Sequence, residues 1–358
     1  MNILYVGNTT TKISSGYDRL NQRNMDMLCS LPSIHVDVVE FFRSRSILDL
    51  LTLRIGGMSH RLIYGVRHRL EQCRYDFVFL SSSLLGELAE KIKEEYPEIK
   101  IICNFHNIER HYAYEFLKVS GWKHLPFFLA AKRAEKKAVD NMDYSLVLND
   151  RDAFLLWKIY NRNADLILPI AQKDIFVRNE FKEDVILLPK DIIYLFVGVS
   201  FFANIEGLRW FISKILPHIP GKLMIVGKGM EILKRDFSSD RIEIHGFVES
   251  LSSYYEKATV VIAPILSGGG MKTKIAEALM FGKRVIGTKE AFEGYIVDGD
   301  SLIQCDTCVD FINCVRDMAS HMPLNNFNNK SRQLYLEHYS INGILKHFNE
   351  SIWKWMKS

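Results

Sequence analysis

The segment Ser267-Gly-Gly-Gly-Met-Lys-Thr-Lys-Ile-Ala-Glu-Ala-Leu-Met-Phe-Gly282 holds the chain's densest set of residues able to do chemistry. Gly268, Gly269 and Gly270 let a backbone approach a ligand closely and leave its N–H groups unobstructed. The residues after them have helical spacing, and a helix N-terminus adds partial positive charge suited to a diphosphate. Met271 and Thr273 lie within this turn, and Lys272 and Lys274 strengthen its field. Glu277 falls three residues after Lys274 and four after Thr273, so the three share one helix face, where a carboxylate can accept hydrogen bonds from ribose hydroxyls. A glycine-rich turn backed by a solvated Lys/Glu helix is the alternative, and the residues alone leave it open. The spacing fits neither GxxxxGK[ST] nor GxGxxG, which argues against a P-loop NTPase or a simple dinucleotide fold.

Such a loop needs a strand before it and a helix after it, and both are legible. Val260 to Ala263 reads as a strand ending at Pro264, and the helix should close near Gly282. Around them the spacing predicts strands at Ile193–Val197, Leu223–Val226, Ile242–Ile244 and Arg284–Ile286. A helix with Asn204 as its N-cap carries a stripe of Leu208, Phe211, Ile212, Ile215 and Leu216. The first half shows the same alternation, with strands at Asn2–Val6, Ile34–Val39, Phe77–Ser81, Ile99–Cys103, Tyr144–Leu148 and Leu166–Leu168. Leu84, Leu85, Leu88 and Ile92 lie on one helix face between them. Short apolar strands alternating with helices are the pattern of buried parallel sheets, so the reading is α/β with two Rossmann-like doubly wound lobes. The lobes are expected at residues 1–175 and 190–335, with a C-terminal helix over 336–358.

Length and composition agree. The 358 residues suit two domains, and 48% apolar with 25% charged residues describes an ordinary globular chain. A net charge of +4 is too small to suggest a nucleic-acid partner. No apolar run reaches the roughly eighteen residues of a membrane span, and the N-terminus turns polar too soon for a secretory signal. Cys305 and Cys308 form a CxxC, but no similarly spaced second pair completes a zinc site. The six cysteines read as reduced thiols of a cytoplasmic protein.

Several motifs in the second half carry a family resemblance. They are Phe196-Val-Gly198, Asn204-Ile-Glu-Gly207, Leu223 to Gly229, His245-Gly-Phe-Val248, Ala263-Pro264, Gly268 to Gly270, Lys274-Ile-Ala-Glu-Ala-Leu279 and Gly282-Lys-Arg-Val-Ile286. In this order they resemble the nucleotide-binding lobe of the retaining "group 1" glycosyltransferases, especially bacterial polysaccharide sugar transferases. The resemblance implies a GT-B fold whose lobes face a central cleft, and a C-terminal helix packing back toward the first lobe. It implies transfer of a sugar from a nucleotide-diphosphate-sugar with retention at the anomeric carbon, without metal or cofactor. By position, Glu277 looks like the ribose-binding glutamate, and Gly270, Lys272 and Lys274 match the phosphate-side loop. Gly246, Phe247 and Val248 resemble the stretch that contacts the base. In the first lobe, Asn104-Phe-His-Asn-Ile-Glu109 resembles the HNVE-type segment, making His106 a candidate catalytic residue with Lys274. Gly16, beside Ser14 and Ser15, matches a glycine loop facing the diphosphate.

Two positions depart from the family. A second glutamate, often eight residues before the first, is here Gly269, and Asn204 to Gly207 lacks the usual basic residue. The second departure shifts phosphate charge onto Lys272, Lys274 and the helix dipole. Asp298-Gly-Asp300 has the form of a DxD metal motif, but Asp-Gly before a strand is ordinary turn chemistry.

The implied acceptor is a saccharide or a polyprenyl-linked saccharide. Between residues 41 and 76, seven arginines stand against three acidic residues, interleaved with apolar side chains from Phe41 to Ile63. Arg61, Arg67 and Arg69 are the expected contacts to an anionic membrane surface, which would put the protein at the inner face of the cell membrane. The alternatives are a non-catalytic nucleotide-sugar-binding subunit of a transferase complex, and a sugar-nucleotide epimerase with the same two-lobed fold.

Overall fold

The computed structural model describes residues 1–9, 16–42, 49, 52–177, 192–320 and 326–357. The chain forms two compact units, one of Met1–Ala171 with Ile344–Ser358 and the other of Gln172–Gly343. The partition falls at Ala171/Gln172.

The first unit carries β1 (Asn2–Gly7), α1 (Gly16–Ser30), β2 (His35–Glu40), α2 (His60–Gln72), β3 (Phe77–Leu80), α3 (Gly86–Glu95) and β4 (Lys100–Asn104). It continues through α4 (Glu109–Ser120), α5 (Leu125–Asn141), β5 (Tyr144–Val147), α6 (Asp150–Tyr160) and β6 (Leu166–Ile167). The strand order is β2-β1-β3-β4-β5-β6, all pairs parallel. Every residue of β3 is buried, as a parallel strand covered on both faces requires. Leu84, Leu85, Leu88 and Ile92 are buried together, as their spacing predicts.

The second unit carries β7 (Ile193–Val197), α7 (Phe202–Lys214), β8 (Lys222–Val226), β9 (Ile242–His245), α8 (Ser252–Lys257), β10 (Val260–Ala263) and α9 (Thr273–Met280). It ends with β11 (Val285–Gly287), β12 (Leu302–Gln304), α10 (Cys308–Ser320), α11 (Asn329–Leu334) and the first residues of α12 (Ile341–Lys357). The parallel order is β12-β11-β10-β7-β8-β9. Gly207 lets α7 cross this sheet closely, since a Cβ there would lie 1.7 Å from the Pro264 carbonyl oxygen.

From Ile344 onward α12 belongs to the first unit. Trp355 stacks on Tyr144 with ring centroids 4.5 Å apart, and its carbonyl accepts from Lys100 Nζ at 2.8 Å. Among the described residues no helix is long and apolar enough to cross a membrane.

Candidate functional site

In each sheet the strand order reverses beside its first strand, between β1 and β3 in one and between β7 and β10 in the other. Loops leaving the carboxyl ends diverge at such a switch point and open a crevice there. The glycine segment leaves β10 at this place. Gly270 adopts φ +65° and Gly268 φ +146°, conformations that a side chain resists. Gly268 and Gly269 are exposed, whereas Met271 is buried. Helix α9 then starts at Thr273, and no side chain caps it.

Lys274 sits at the centre of this arrangement. Its ammonium donates to Asn204 Oδ1 at 2.8 Å and stands 4.0 Å from the centroid of the Phe196 ring. Gly198 gives it room, because a Cβ there would lie 3.0 Å from Nζ. Burial, then the nearby Lys272, lowers its pKa to about 7. The sequence assigned Asn204 to a helix N-cap. Instead α7 begins after Phe201, and Asn204 lies inside the first turn. Its side chain donates back to the Val199 carbonyl at 2.8 Å and accepts from Lys274, so a long-range contact displaces the local cap.

Lys272 has a different environment. It bonds Glu290 Oε1 at 2.6 Å and the Gly270 carbonyl at 2.9 Å, with both charged side chains largely buried. Its charge is therefore partly offset within the unit. Glu290 lies beyond β11 and belongs to no motif, so spacing gave no sign of it.

Glu277 is 6% exposed, and its Oε2 accepts from the Tyr255 hydroxyl of α8 at 3.1 Å. Tyr255 in turn stacks on Phe281, with centroids 4.7 Å apart. The alternative of a solvated Lys/Glu helix does not describe this carboxylate, which is packed under a tyrosine. At the end of β9, Phe247 is 73% exposed and Val248 half-buried. A Cβ on Gly246 would lie 1.8 Å from Glu231 Oε1, the movable end of that side chain.

The first unit has a matching polar cluster. His106, two residues beyond β4, is 4% exposed, and its ring lies 4.6 Å from that of Tyr17. Neither ring nitrogen has a hydrogen-bond partner among the described residues. Burial and then the Arg23 guanidinium lower its pKa to about 3, so the ring is neutral. Arg23 is itself buried and bonds the Leu168 and Pro169 carbonyls at 3.0 Å each and Asn104 Oδ1 at 3.1 Å. Arginine in an amphipathic helix reads as a surface residue, so sequence reasoning missed it. The segment bearing His106 is tied down by Glu135, a buried carboxylate that accepts from the backbone N–H groups of Glu109 and Arg110 and from the Tyr160 hydroxyl. Gly16 opens α1, whereas Ser14 and Ser15 lie outside the described residues.

Asp298 and Asp300 have structural work. Asp298 Oδ1 accepts from the backbone nitrogens of Asp300, Ser301 and Leu302 at 3.1, 2.7 and 3.1 Å, closing the turn into β12. Asp300 accepts from Arg284 Nε at 3.2 Å and pairs with Lys330 at 3.0 Å. The CxxC cysteines are free, as are the other four.

Arg61, Arg67 and Arg69 are exposed on α2, while its apolar residues Leu62, Val66 and Leu70 point into the core. Arg67 pairs with Glu95, and Arg69 lies 4.0 Å from Asp37. Phe41 and Ile55 are buried as well. Phe41, Ile55, Leu62, Val66 and Leu70 therefore pack the first unit, whereas Phe42 and, on α2 itself, Tyr64 stay exposed beside the arginines. Arg43, Arg45, Ile47, Leu48, Leu50 and Leu51 lie outside the described residues.

Comparisons with known proteins agree with this geometry. Over nearly its whole length the chain has the fold of solved two-lobed proteins. The lipopolysaccharide outer core galactosyltransferase WaaB in its apo form is 15% identical, with a TM-score of 0.67 and 99% of both chains covered. HepE of Anabaena, solved with UDP and glucose, is 12% identical, with a TM-score of 0.65 and 98% of both chains covered. The N-terminal domain of trehalose-6-phosphate phosphatase from Candida albicans, 10% identical, has a TM-score of 0.64, covering 98% of this chain and 96% of that one. No curated protein matches the chain in sequence. Residues 191–321, within the second unit, match the family described as glycosyl transferases group 1, and the whole chain has the two-sheet α/β fold of the GT-B glycosyltransferases.

Proposed function

We propose that the protein is a retaining glycosyltransferase that uses a nucleotide-diphosphate-sugar donor. The observation that carries this reading is Lys274. A desolvated ammonium at the switch point, next to glycine-loop N–H groups and an uncapped helix start, suits a departing diphosphate. Glu277 lies one helical turn further along, where it would take the ribose hydroxyls. Phe247 offers an exposed ring to the base. The acceptor hydroxyl attacks the anomeric carbon from the face that the diphosphate leaves, so the configuration is retained. The matched family, and the donors printed for HepE, support a nucleotide sugar. The likeness to WaaB, a lipopolysaccharide outer core galactosyltransferase, supports an acceptor in bacterial surface polysaccharide; by our reading that acceptor is a saccharide, free or polyprenyl-linked, at the cytoplasmic face of the membrane.

A panel of nucleotide sugars tests the reading. One of them should bind, and its sugar should appear on an added acceptor with the anomeric configuration unchanged. Binding without transfer to any acceptor would favour a donor-binding subunit, and sugar interconversion without an acceptor would favour an epimerase.

Two further outcomes are expected. Glu277→Gln should weaken donor binding by about 1.5 kcal/mol, the loss of a charged hydrogen bond to ribose. Tyr255 can donate equally well to the amide oxygen, so the melting temperature should hold. Unchanged affinity in calorimetry would remove Glu277 from the donor site. Turnover should also survive EDTA. Asp298 and Asp300 are engaged in their turn and ion pairs, and Lys274 with the helix start supplies the positive charge. Loss of activity on chelation, restored by magnesium or manganese, would overturn this.

A further inference from the structure

The turn that follows β11 is bonded to the glycine segment along its whole length. Thr288 is buried, and its hydroxyl donates to the Ile265 carbonyl at the root of the segment. Its N–H donates to the Ala263 carbonyl at 3.3 Å. At the other end Tyr295 donates to the carbonyl of Lys272, the residue that opens α9, at 2.8 Å. Between these anchors Glu290 accepts from Lys272 Nζ at 2.6 Å. The lysine side chain is 11% exposed and the glutamate side chain 24%, so the pair is largely withdrawn from water. A Cβ on Gly268 would lie 3.8 Å from Glu290 Oε1, which sets the carboxylate alongside an exposed residue of the loop. The turn is folded on Thr288 itself, whose Oγ1 accepts from the Ala291 N–H at 3.2 Å. Glu290 therefore reaches the loop on a fixed mount.

A carboxylate in this place works against everything else the loop does. Residues 264–276 contain no acidic side chain of their own and carry Lys272 and Lys274. Glu206 of α7 also reaches the segment, where its Oε2 accepts from Ser267 Oγ at 3.1 Å. Glu206 is exposed, so water and salt screen its charge. Glu290 is less screened, and its field carries further into the site. An amide at that position could accept the same bond from Lys272. What the carboxylate adds is charge, for it subtracts a unit from the positive field that the loop shows a ligand.

We infer, on the reading of this loop as the donor site, that Glu290 limits the negative charge the loop accepts and so selects a donor whose sugar is neutral against one whose sugar is acidic. A diphosphate diester carries a charge on each phosphate. With Lys272 engaged by Glu290, those charges face Lys274, the loop N–H groups and the start of α9. A uronic carboxylate on the sugar adds a further charge, which meets the field of Glu290. Discrimination by repulsion of the wrong ligand needs no contact with the right one. The nucleoside diphosphate left after transfer also gains charge, through the second ionisation of its terminal phosphate. The same repulsion loosens that product.

The test is calorimetry on the full chain with the glucose and glucuronate esters of UDP, GDP, ADP and dTDP, and with the free diphosphates. Wild type should bind the glucose ester of its preferred base more tightly than the glucuronate ester. Glu290→Gln should shrink that preference about tenfold, the scale of one partly screened charge nearby. The free diphosphate should gain on the glucose ester in the same variant, and both changes should fade as salt rises. Ratios within one base series cancel any general gain from a less engaged Lys272. Lys272→Met should weaken every ligand and widen the preference, and joined to Glu290→Gln it should bring the preference back toward wild type. Glu206→Gln should move it much less. Melting temperatures show whether the loop survives each change, and Glu290→Asp, which keeps the charge, should keep the preference. An unchanged ratio in a folded Glu290→Gln protein, or an equal shift from Glu206→Gln, overturns the inference alone. Failure of wild type to bind any of these ligands overturns the donor reading, and the inference with it.

Discussion

Replacing Lys274 with Met is expected to lower kcat/KM roughly 10²–10³-fold, the usual cost of removing one preorganised charge from a developing oxyanion. Much of the loss should fall on kcat, because the ammonium meets its full counter-charge only as the glycosidic bond breaks. A pH signature accompanies it. The unliganded ammonium has a pKa of about 7, set first by burial and then by Lys272. A diphosphate favours the protonated form, so binding above pH 7 must take up a proton. Affinity for the nucleoside diphosphate should therefore fall as pH rises through 7 to 9, and the Met variant should bind weakly with little pH dependence. Calorimetry at pH 8 in buffers of different ionisation enthalpy reads the proton directly. The sign for folding is the opposite of a salt-bridged lysine. The folded chain releases this proton near pH 7 and the unfolded chain near 10.5, so burying the charge costs stability fully below pH 7 and not at all above 10.5. The Met variant should melt higher than wild type in acid and converge with it in base. A variant with wild-type turnover, or with a proton uptake equal to wild type, would show that Lys274 is not the charge that meets the diphosphate.

The fold was legible because buried parallel strands are short apolar runs, and that signal is local. Each strand read from sequence lies within two residues of its observed bounds, from Asn2–Gly7 through Leu302–Gln304. The glycine loop was legible for the same reason, since Gly268 and Gly270 occupy backbone conformations that identify themselves by residue type. The surroundings of the charges were not legible. Glu290 pairs with Lys272 across 18 positions, and Asn204 reaches Lys274 across 70, separations at which no periodicity links the partners. The same limit explains Arg23, whose guanidinium is held by carbonyls 145 and 146 residues away. It also explains the α2 arginines, where the sequence shows cations beside leucines but not which side of the helix meets the core.

His106→Ala is expected to lower kcat about 10²-fold while leaving affinity for the nucleoside diphosphate nearly unchanged. The expectation rests on an incomplete set of hydrogen bonds. A buried polar ring normally finds a partner for at least one nitrogen, yet both nitrogens of His106 lack one among the described residues. The groups around it do not fill the gap, since the Ser81 carbonyl lies near the ring without completing a hydrogen bond, Tyr17 packs tilted against it and Arg23 presents another donor charge. What remains is a ligand hydroxyl or ordered water, and a neutral imidazole can both donate to and accept from a sugar. Neutrality matters to the test. With a pKa near 3 the ring cannot act as an acid that titrates around pH 6.5, so His106 should contribute no inflection to the kcat profile in that range. His106→Asn keeps one donor and one acceptor and should recover part of the turnover, whereas Ala and Phe should not. The rigid mount predicts the same pattern from a distance. Glu135 fixes the first turn of α4 beside His106, so Glu135→Gln should lower kcat by a smaller factor while donor binding persists. Melting curves separate lost folding from lost chemistry in each variant. Wild-type kcat and affinity in a folded His106→Ala protein would make the ring a packing residue, and the first unit's part in transfer would have to rest on other side chains.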